Sequence, residues 1–248
     1  MPQYATDNHP PLTRMPSFQQ TPSCILEPGT VIPRHIHAQA YATIVLDGDY
    51  QEAGERGRWH VRAGDVLLHA PFSAHWNRAI PRGARVLNLP VTMAVAESAC
   101  GQVADPDLVI RLAGRDSLEA AAALTHGWRQ SQGKLSEAPD LLAEALTASD
   151  PAGVQLWSLE NGVSRVTAFR WFRSVYGVSP TRYRIEARAR LAWRMFMDGD
   201  ASLAEIAAAA GYADQAHMNR DVKAFTGRSP GAWRSTLKHS FKTAAAAP

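Results

Sequence analysis

Residues 202–234, SLAEIAAAAGYADQAHMNRDVKAFTGRSPGAWR, have a degraded copy fifty residues upstream. Laying one copy on the other pairs Arg170 with Arg220 and Arg173 with Lys223. Gly177 falls on Gly227, Ser179-Pro180 on Ser229-Pro230, Tyr183 on Trp233 and Arg184 on Arg234, every pair offset by 50. The glycines Gly162 and Gly211 are offset by 49, so one residue has been gained or lost inside a turn. A repeat of fixed period means one supersecondary unit built twice, and no other feature limits the fold as tightly.

The spacing of caps and apolar residues defines that unit. Ser202 N-caps a helix whose apolar positions are Leu203, Ile206 and Ala207, and Gly211 ends it where a left-handed backbone costs little. Asp214 caps the next helix. Met218, Val222 and Phe225 form its inner stripe, while Gln215, His217 and Arg220 point outward. In the upstream copy Asp150-Pro151 opens a helix with Val154 and Trp157, Gly162 turns the chain, and Ser164 caps a helix through Arg165, Arg170 and Arg173. Small Ala207, with Ser158 in the other copy, lets the paired helices approach closely. Two short helices across a glycine turn, the second polar at its N-terminal end, follow the helix-turn-helix plan.

The second copy contains I-A-x-x-x-G-Y-x-D-Q followed by F-x-G-x-S-P-x-x-W-R. With its partner it resembles the AraC-type transcription regulators, over residues 139–238. Two positions depart from the family pattern: Val222 replaces the usual Phe, and Phe169 stands where a small or polar residue is usual. The resemblance and the outward faces together give a base-reading set of Val166, Phe169 and Arg170 in the first module and Gln215, His217 and Arg220 in the second. Gln pairs bidentately with adenine and Arg with guanine, and Val166 suits a thymine methyl. Arg165, Arg173, Arg184, Lys223 and Arg234 are expected at phosphates or in structural ion pairs. Trp157, Phe172, Val175, Tyr183, Ile206, Tyr212, Phe225 and Trp233 are core by spacing. The recognition helices are expected at about 164–175 and 214–226, joined by a helix over 180–198. That joiner spans roughly 28 Å at 1.5 Å per residue, so two recognition helices can reach successive major-groove faces about 34 Å apart.

Charge follows the same division. Residues 1–135 hold 12 Lys+Arg against 12 Asp+Glu, whereas residues 136–248 hold 14 against 11 and supply the whole net charge of +3. Between Ser164 and Arg194 there are eight Arg and a single acid, Glu186. On a recognition helix and the helix after it, such a run suits a phosphate backbone better than a merely solvated face. Cys24 and Cys100 lack metal or redox spacing and are expected to be buried thiols. The sequence has no apolar run long enough to cross a membrane and no secretory leader, which points to a cytoplasmic protein with no membrane partner.

Upstream of the repeat the pattern changes. Residues 1–15 read as a disordered arm. Short β-prone runs then follow at Ser23–Glu27, Tyr41–Leu46, Arg58–Val61, Asp65–His69 and Arg85–Val91, a density that suggests a small barrel or sandwich. From Pro106 the signal is helical, with Asp105-Pro106 starting one segment and Ser117 capping Leu118–Thr125. Gln130–Ala138 reads as a polar linker. The expected division is therefore an arm over 1–15, a β domain over 16–104, a helical bridge over 105–138, a DNA-binding domain over 139–240 and a disordered tail over 241–248. The bridge is either a dimer surface or a pair of helices closing the barrel. The class is α+β in two domains, with room in 248 residues for two cores.

Within the β region lies Gly29-x5-His35-x-His37-x3-Tyr41-x6-Gly48, followed by Gly64-Asp65, Pro71 and His75-x-Asn77. These blocks resemble the paired motifs of the cupin barrel. His35 and His37 share one face of a strand, and in that fold His75 points at the same interior. The resemblance implies an effector pocket of His35, His37, Tyr41 and His75, and His35, His37 and His75 are also candidate ligands for a divalent metal. Metal-binding cupins usually add a Glu after three or four intervening residues, where this chain has Tyr41 and Ala42. His69 reads as a satisfied core histidine, while His9, His60 and His239 carry no pattern.

The leading expectation is a sequence-specific regulator. Its partners are double-stranded DNA, a small effector or metal, RNA polymerase and a second copy of the chain. Two other readings stay open: a metal-dependent cupin enzyme with an accessory helical half, and a regulator whose barrel only dimerises.

Overall fold

The computed structural model describes residues 12–15, 23–91, 95, 97–131, 133–148 and 153–236. Nine strands come first: β1 (Thr13–Met15), β2 (Ser23–Leu26), β3 (Val31–His37), β4 (Tyr41–Gly54), β5 (Gly57–Arg62), β6 (Asp65–His69), β7 (His75–Pro90), β8 (Ala99–Val103) and, after helices α1 (Pro106–Ala113) and α2 (Ser117–Gly127), β9 (Trp128–Gln130). The helical half holds α3 (Ala138–Thr147), α4 (Val154–Glu160), α5 (Arg165–Tyr176), α6 (Pro180–Asp198), α7 (Leu203–Ala209) and α8 (Gln215–Thr226). Residues 230–236 form a last short helix.

The strands make one mixed sheet in the order β1-β3-β7-β4-β6-β8-β9, with β2 also on β7 and β5 also on β4. Only β1 and β3 run parallel. Side chains alternate across a strand, and the chain uses both faces. Ala42, Ile44, Val66, Leu68, Leu87 and Leu89 pack beneath Val109 and Ala113 of α1 and Ala120 and Leu124 of α2. Val45, Tyr50, Trp59, Val61, Leu67 and Val86 fill the other core. The bridge helices thus close one face of the sheet, while Leu108 and Leu118 on them stay exposed. The register of β4 on β7 slips twice, between Val45 and Asp47 and between Gly48 and Tyr50. At the second slip Gly48 lies so close to the Gly83 carbonyl that a Cβ would sit 2.1 Å from it, which leaves room for glycine alone.

Several expectations need correction. Thr13–Met15 is a strand rather than part of an arm, because its backbone pairs with His35–His37; residues 1–11 and the tail lie outside the described residues. The linker is bound to the sheet edge: β9 pairs with β8, Ser131 N–H donates to the Cys100 carbonyl, and Leu135 N–H to that of Arg58. The cap of α2 is Asp116, whose carboxylate accepts from Leu118 and Glu119, not Ser117. Cys24 is exposed on β2, and only Cys100 is buried. Burial pushes the Cys100 thiol up to about 11.

Chain compactness also divides the molecule differently. Residues 1–146 and 152–180 form one unit, and residues 147–151 and 181–248 the other. The first helix-turn-helix module therefore groups with the sheet, and the second stands with α6.

Each module repeats the same local solution. Gly162 and Gly211 turn with φ of 65° and 73°. Val163 N–H donates to the Ser158 carbonyl in one module and Tyr212 N–H to that of Ala207 in the other. Ser164 and Asp214 cap α5 and α8 by accepting from the third residue on. Both helices end on left-handed glycines, Gly177 and Gly227. The opening of α4 differs from expectation, since Gly153 precedes it with no side-chain cap; Asp150-Pro151 lie outside the described residues.

Gly177 carries a second constraint. A Cβ there would lie 2.4 Å from the Trp76 indole, whereas one at Gly162 meets nothing within 4 Å. Left-handed backbone costs an L-residue roughly 1–2 kcal/mol, and overpacking adds about 1–3. Gly177→Ala is therefore expected to destabilise the first compact unit by at least about 2 kcal/mol and Gly162→Ala by only about half that. Urea unfolding of the two variants checks the difference, and equal midpoints would contradict the Trp76 contact.

Candidate nucleic-acid interface and sensor cavity

The outward faces of α5 and α8 carry the expected reading residues. Val166 is 68% exposed, and Arg170 is exposed one turn further along the same face of the helix. Phe169 is half-buried, with the Arg165 guanidinium 5.5 Å from its ring centre, so one face of the ring is covered by a neighbouring cation. On α8, Gln215 and Arg220 are exposed. Below them Ala168, Phe172 and Tyr176 in α5, and Met218, Val222 and Phe225 in α8, are buried and lock the inner stripes.

His217 is half-buried and lies against its own module. Its Nε2 lies 3.5 Å from the Asp221 carboxylate one turn on, and its ring meets Tyr212 edge-to-face at 5.2 Å. Asp221 also binds Arg188 of α6 at 3.2 Å, and the Arg188 guanidinium lies 3.9 Å from the Tyr212 ring while donating to the Gly211 carbonyl. Arg188 thus joins α6, the turn and α8 of the second module. Nothing in the sequence marks Arg188, because an Arg inside an Arg-rich run looks like its neighbours until Asp221 is seen facing it.

The five expected phosphate residues separate by exposure. Arg165, Arg173 and Lys223 are exposed, and Arg184 is half-buried. Arg234 instead donates to the Ala201 carbonyl and ties the last helix to the start of α7.

The second candidate site is a cavity of about 340 Å³ in the β domain. Its walls include Leu26, Ile32 and Val86, and its floor holds His35, His37, Tyr41 and His75, all four expected pocket residues. His35 and His75 face each other in register across β3 and β7, with ring centroids 4.1 Å apart. Further polar residues join them, among them Thr43, Tyr50, Glu52, Asn77 and Asn88. Strict alternation along β4 does not point to Glu52, because the slip between Val45 and Asp47 leaves one extra residue on β4 and carries the inward face from odd positions (Tyr41, Thr43) to even ones (Tyr50, Glu52). His69 is buried as expected, but it belongs to this cluster: its ring stacks on Tyr41 at 4.1 Å, and its Nδ1 lies 3.5 Å from Glu52. His60, which carried no pattern, pairs with Asp49 at 2.9 Å.

Hydrogen-bond partners set the tautomers. His35 Nδ1 donates to the Pro33 carbonyl and His75 Nδ1 to that of Ser73, which leaves both Nε2 atoms as lone-pair bearers. His75 Nε2 then accepts from the Tyr41 hydroxyl at 3.0 Å. Thr43 donates to Asn88, so its oxygen accepts from His69 Nε2. Asn77 donates to Glu52 at 2.8 Å. Burial lowers His35 to about 4, aided by His37 and Arg34 and opposed by the Pro33 bond. Burial also holds His69 and His75 well below the usual imidazole range. It pushes the Glu52 carboxyl up to about 8, against bonds from Asn77 and Tyr50. No Lys or Arg lines the cavity among the described residues.

Two overlapping groups have donor atoms within 4.8 Å of one another: His35, His37 and His75, and Glu52, His69 and His75. Imidazoles whose Nδ1 is pinned by a carbonyl, with Nε2 turned inward, have the form of metal ligands. The first group fits a divalent ion once the Tyr41 hydroxyl yields His75 Nε2.

The raised Glu52 fixes a pH signature. Above the unfolded value of 4.5 the unfolded chain loses this proton, while the folded chain keeps it to about 8, so stability falls as pH rises through that window. The lowered histidines act oppositely, but only below their unfolded value of 6.5. Between pH 6.5 and 8, chelator-treated protein should therefore lose stability, and Glu52→Gln should flatten the slope. An unchanged slope in the variant would place the titration elsewhere.

Residues 157–236 match the family profile described as a helix-turn-helix domain. An AraC-like transcription regulator of Streptomyces lividans is 30% identical over 122 residues, 47% of this chain and 38% of that protein. The chain thus spans well under half the length of that curated relative. Among solved structures, the C-terminal domain of AraT from Geobacillus stearothermophilus is 23% identical over 40% of this chain and 81% of its own, with a TM-score of 0.35. ToxT from Vibrio cholerae covers 88% of this chain and 97% of its own at 9% identity and a TM-score of 0.39. No helix among the described residues is long and apolar enough to cross a membrane. A mixed β-sheet region precedes the matched segment, and the chain carries a helix-turn-helix domain and is similar over part of its length to an AraC-like regulator.

Proposed function

We propose that the protein is a cytoplasmic, sequence-specific transcription regulator whose two modules read successive major-groove faces of a duplex. The observation that carries this is the duplication itself. Two helices of 12 residues, each capped at the first turn and ended on a left-handed glycine, expose Arg170 and Arg220 at corresponding positions. Val166, Phe169, Arg170, Gln215 and Arg220 form the reading surface, and His217 reaches it only as far as Asp221 allows. Arg165, Arg173, Arg184 and Lys223 bind phosphates. RNA polymerase and a second copy of the chain are further partners of this reading.

The β domain, read as a cupin-like sensor, takes the effector in the His35–His37–Tyr41–His75 cavity. The occupant is a small molecule or a divalent ion held by His35, His37 and His75. Cobalt separates the two: visible absorption on adding Co²⁺ to wild type, lost in His37→Ala, marks the ion, and no absorption in wild type leaves the small molecule.

Gel shifts test the reader. A bidentate Arg–guanine pair contributes about 1–3 kcal/mol of discrimination, so Arg220→Ala should weaken a specific duplex by roughly 5- to 150-fold and random DNA far less. Lys223→Ala should weaken both alike and reduce the salt slope by about one counterion. Equal losses for Arg220→Ala on both duplexes would remove base reading from this residue.

A further inference from the structure

Arg58 lies on β5, far in sequence from either module, yet its side chain is only 3% exposed. It forks onto Asp140 of α3, with Nε 3.1 Å from Oδ1 and Nη2 3.0 Å from Oδ2, and it also binds Glu137. Asp140 is equally buried and accepts a third bond, from the Tyr176 hydroxyl at 2.9 Å. Tyr176 is the last residue of α5, the first recognition helix. One residue further on, Gly177 meets the indole of Trp76, which follows His75 of the cavity on β7. The sheet therefore grips the end of α5 at two independent points, one ionic and one by close packing.

Burying two charges costs desolvation that their attraction only partly offsets, and an apolar pair of the same volume is often as stable. What the forked pair adds is direction. Four bonds converge on the Asp140 carboxylate, two from Arg58 of β5, one from Tyr176 of α5 and one from the Glu137 N–H just before α3, and each has a narrow angular range.

We propose that the β domain sets the pose of the first recognition helix through the Arg58–Asp140–Tyr176 relay and the Trp76–Gly177 contact, and thereby controls the first module's share of DNA recognition. This rests on the DNA-reading function proposed above. Arg58, Asp140 and Tyr176 are positioning residues; none of them belongs to the reading surface.

Selection of duplexes from a randomised library by the full chain tests it. Arg170→Ala and Arg220→Ala first assign each half of the selected motif to its module. Tyr176→Phe keeps the ion pair and removes one bond, and Arg58→Met/Asp140→Leu removes both charges while keeping the volume filled. Both variants should retain the second module's half and lose preference in the first module's half, by roughly 2- to 30-fold per site. Circular dichroism and melting of each variant establish that it is folded. Motifs unchanged in both variants, or weakened equally in both halves, overturn the relay and leave the DNA-reading function intact. A wild-type chain that selects no motif overturns that function and the relay with it.

Discussion

A recognition helix works only if its first turns face outward while its last turns are held fast, and this chain meets that demand twice with the same parts. A hydroxyl or carboxylate accepts from the first turn, which leaves that end ordered without covering it. At the other end Gly177 and Gly227 reverse the chain into the left-handed region, so the following Ser-Pro can start the next helix at once. Between the caps, Ala168, Phe172 and Tyr176 in α5 and Met218, Val222, Phe225 and Thr226 in α8 are buried and hold the inner stripes. The cations at Arg170 and Arg220 are then displayed by rigid backbone. The two modules differ in what grips them, with Arg188 and Asp221 stapling the second to α6 and the sheet edge holding the first.

The β domain obeys a different constraint. Its cavity is lined by three imidazoles and a carboxyl, with His69 stacked on Tyr41 and no Lys or Arg in the lining among the described residues, so neutrality is the least costly state. Burial lowers the histidines and raises Glu52, and the hydrogen bonds to Pro33, Ser73, Asn77 and Thr43 fix which atoms carry protons. The result is a preorganised set of lone pairs and hydroxyls beneath apolar walls, suited to one small occupant.

The helical half was legible because its signals are local. Asp214, Gly177 and the inner stripes are read within a few residues of where they act, and α3, α5, α6 and α8 fall within one residue of their expected bounds. The sheet was legible only in part. Asp65–His69 is found as expected, and His35, His37, Tyr41 and His75 do meet, but nothing in Ala99–Val103 or Trp128–Gln130 marks β8 and β9. Glu52 escapes because the slip between Val45 and Asp47 reverses the parity of β4, and parity is the clue that places a strand residue on a face. Arg58 and Asp140 escaped for another reason: they are 82 residues apart, and nothing in either neighbourhood marks a buried pair. The polar stretch after β9 misled for the same cause, since edge pairing is made by backbone and leaves no trace in side-chain type.

The proposed function requires that two modules read one duplex from the major groove. Methylation interference at guanine N7 measures this most directly, because Arg reads guanine at that atom. On a duplex bound by the full chain, two clusters of interfering guanines are expected about one helical turn apart. A single cluster, or binding indifferent to N7 methylation, would contradict it.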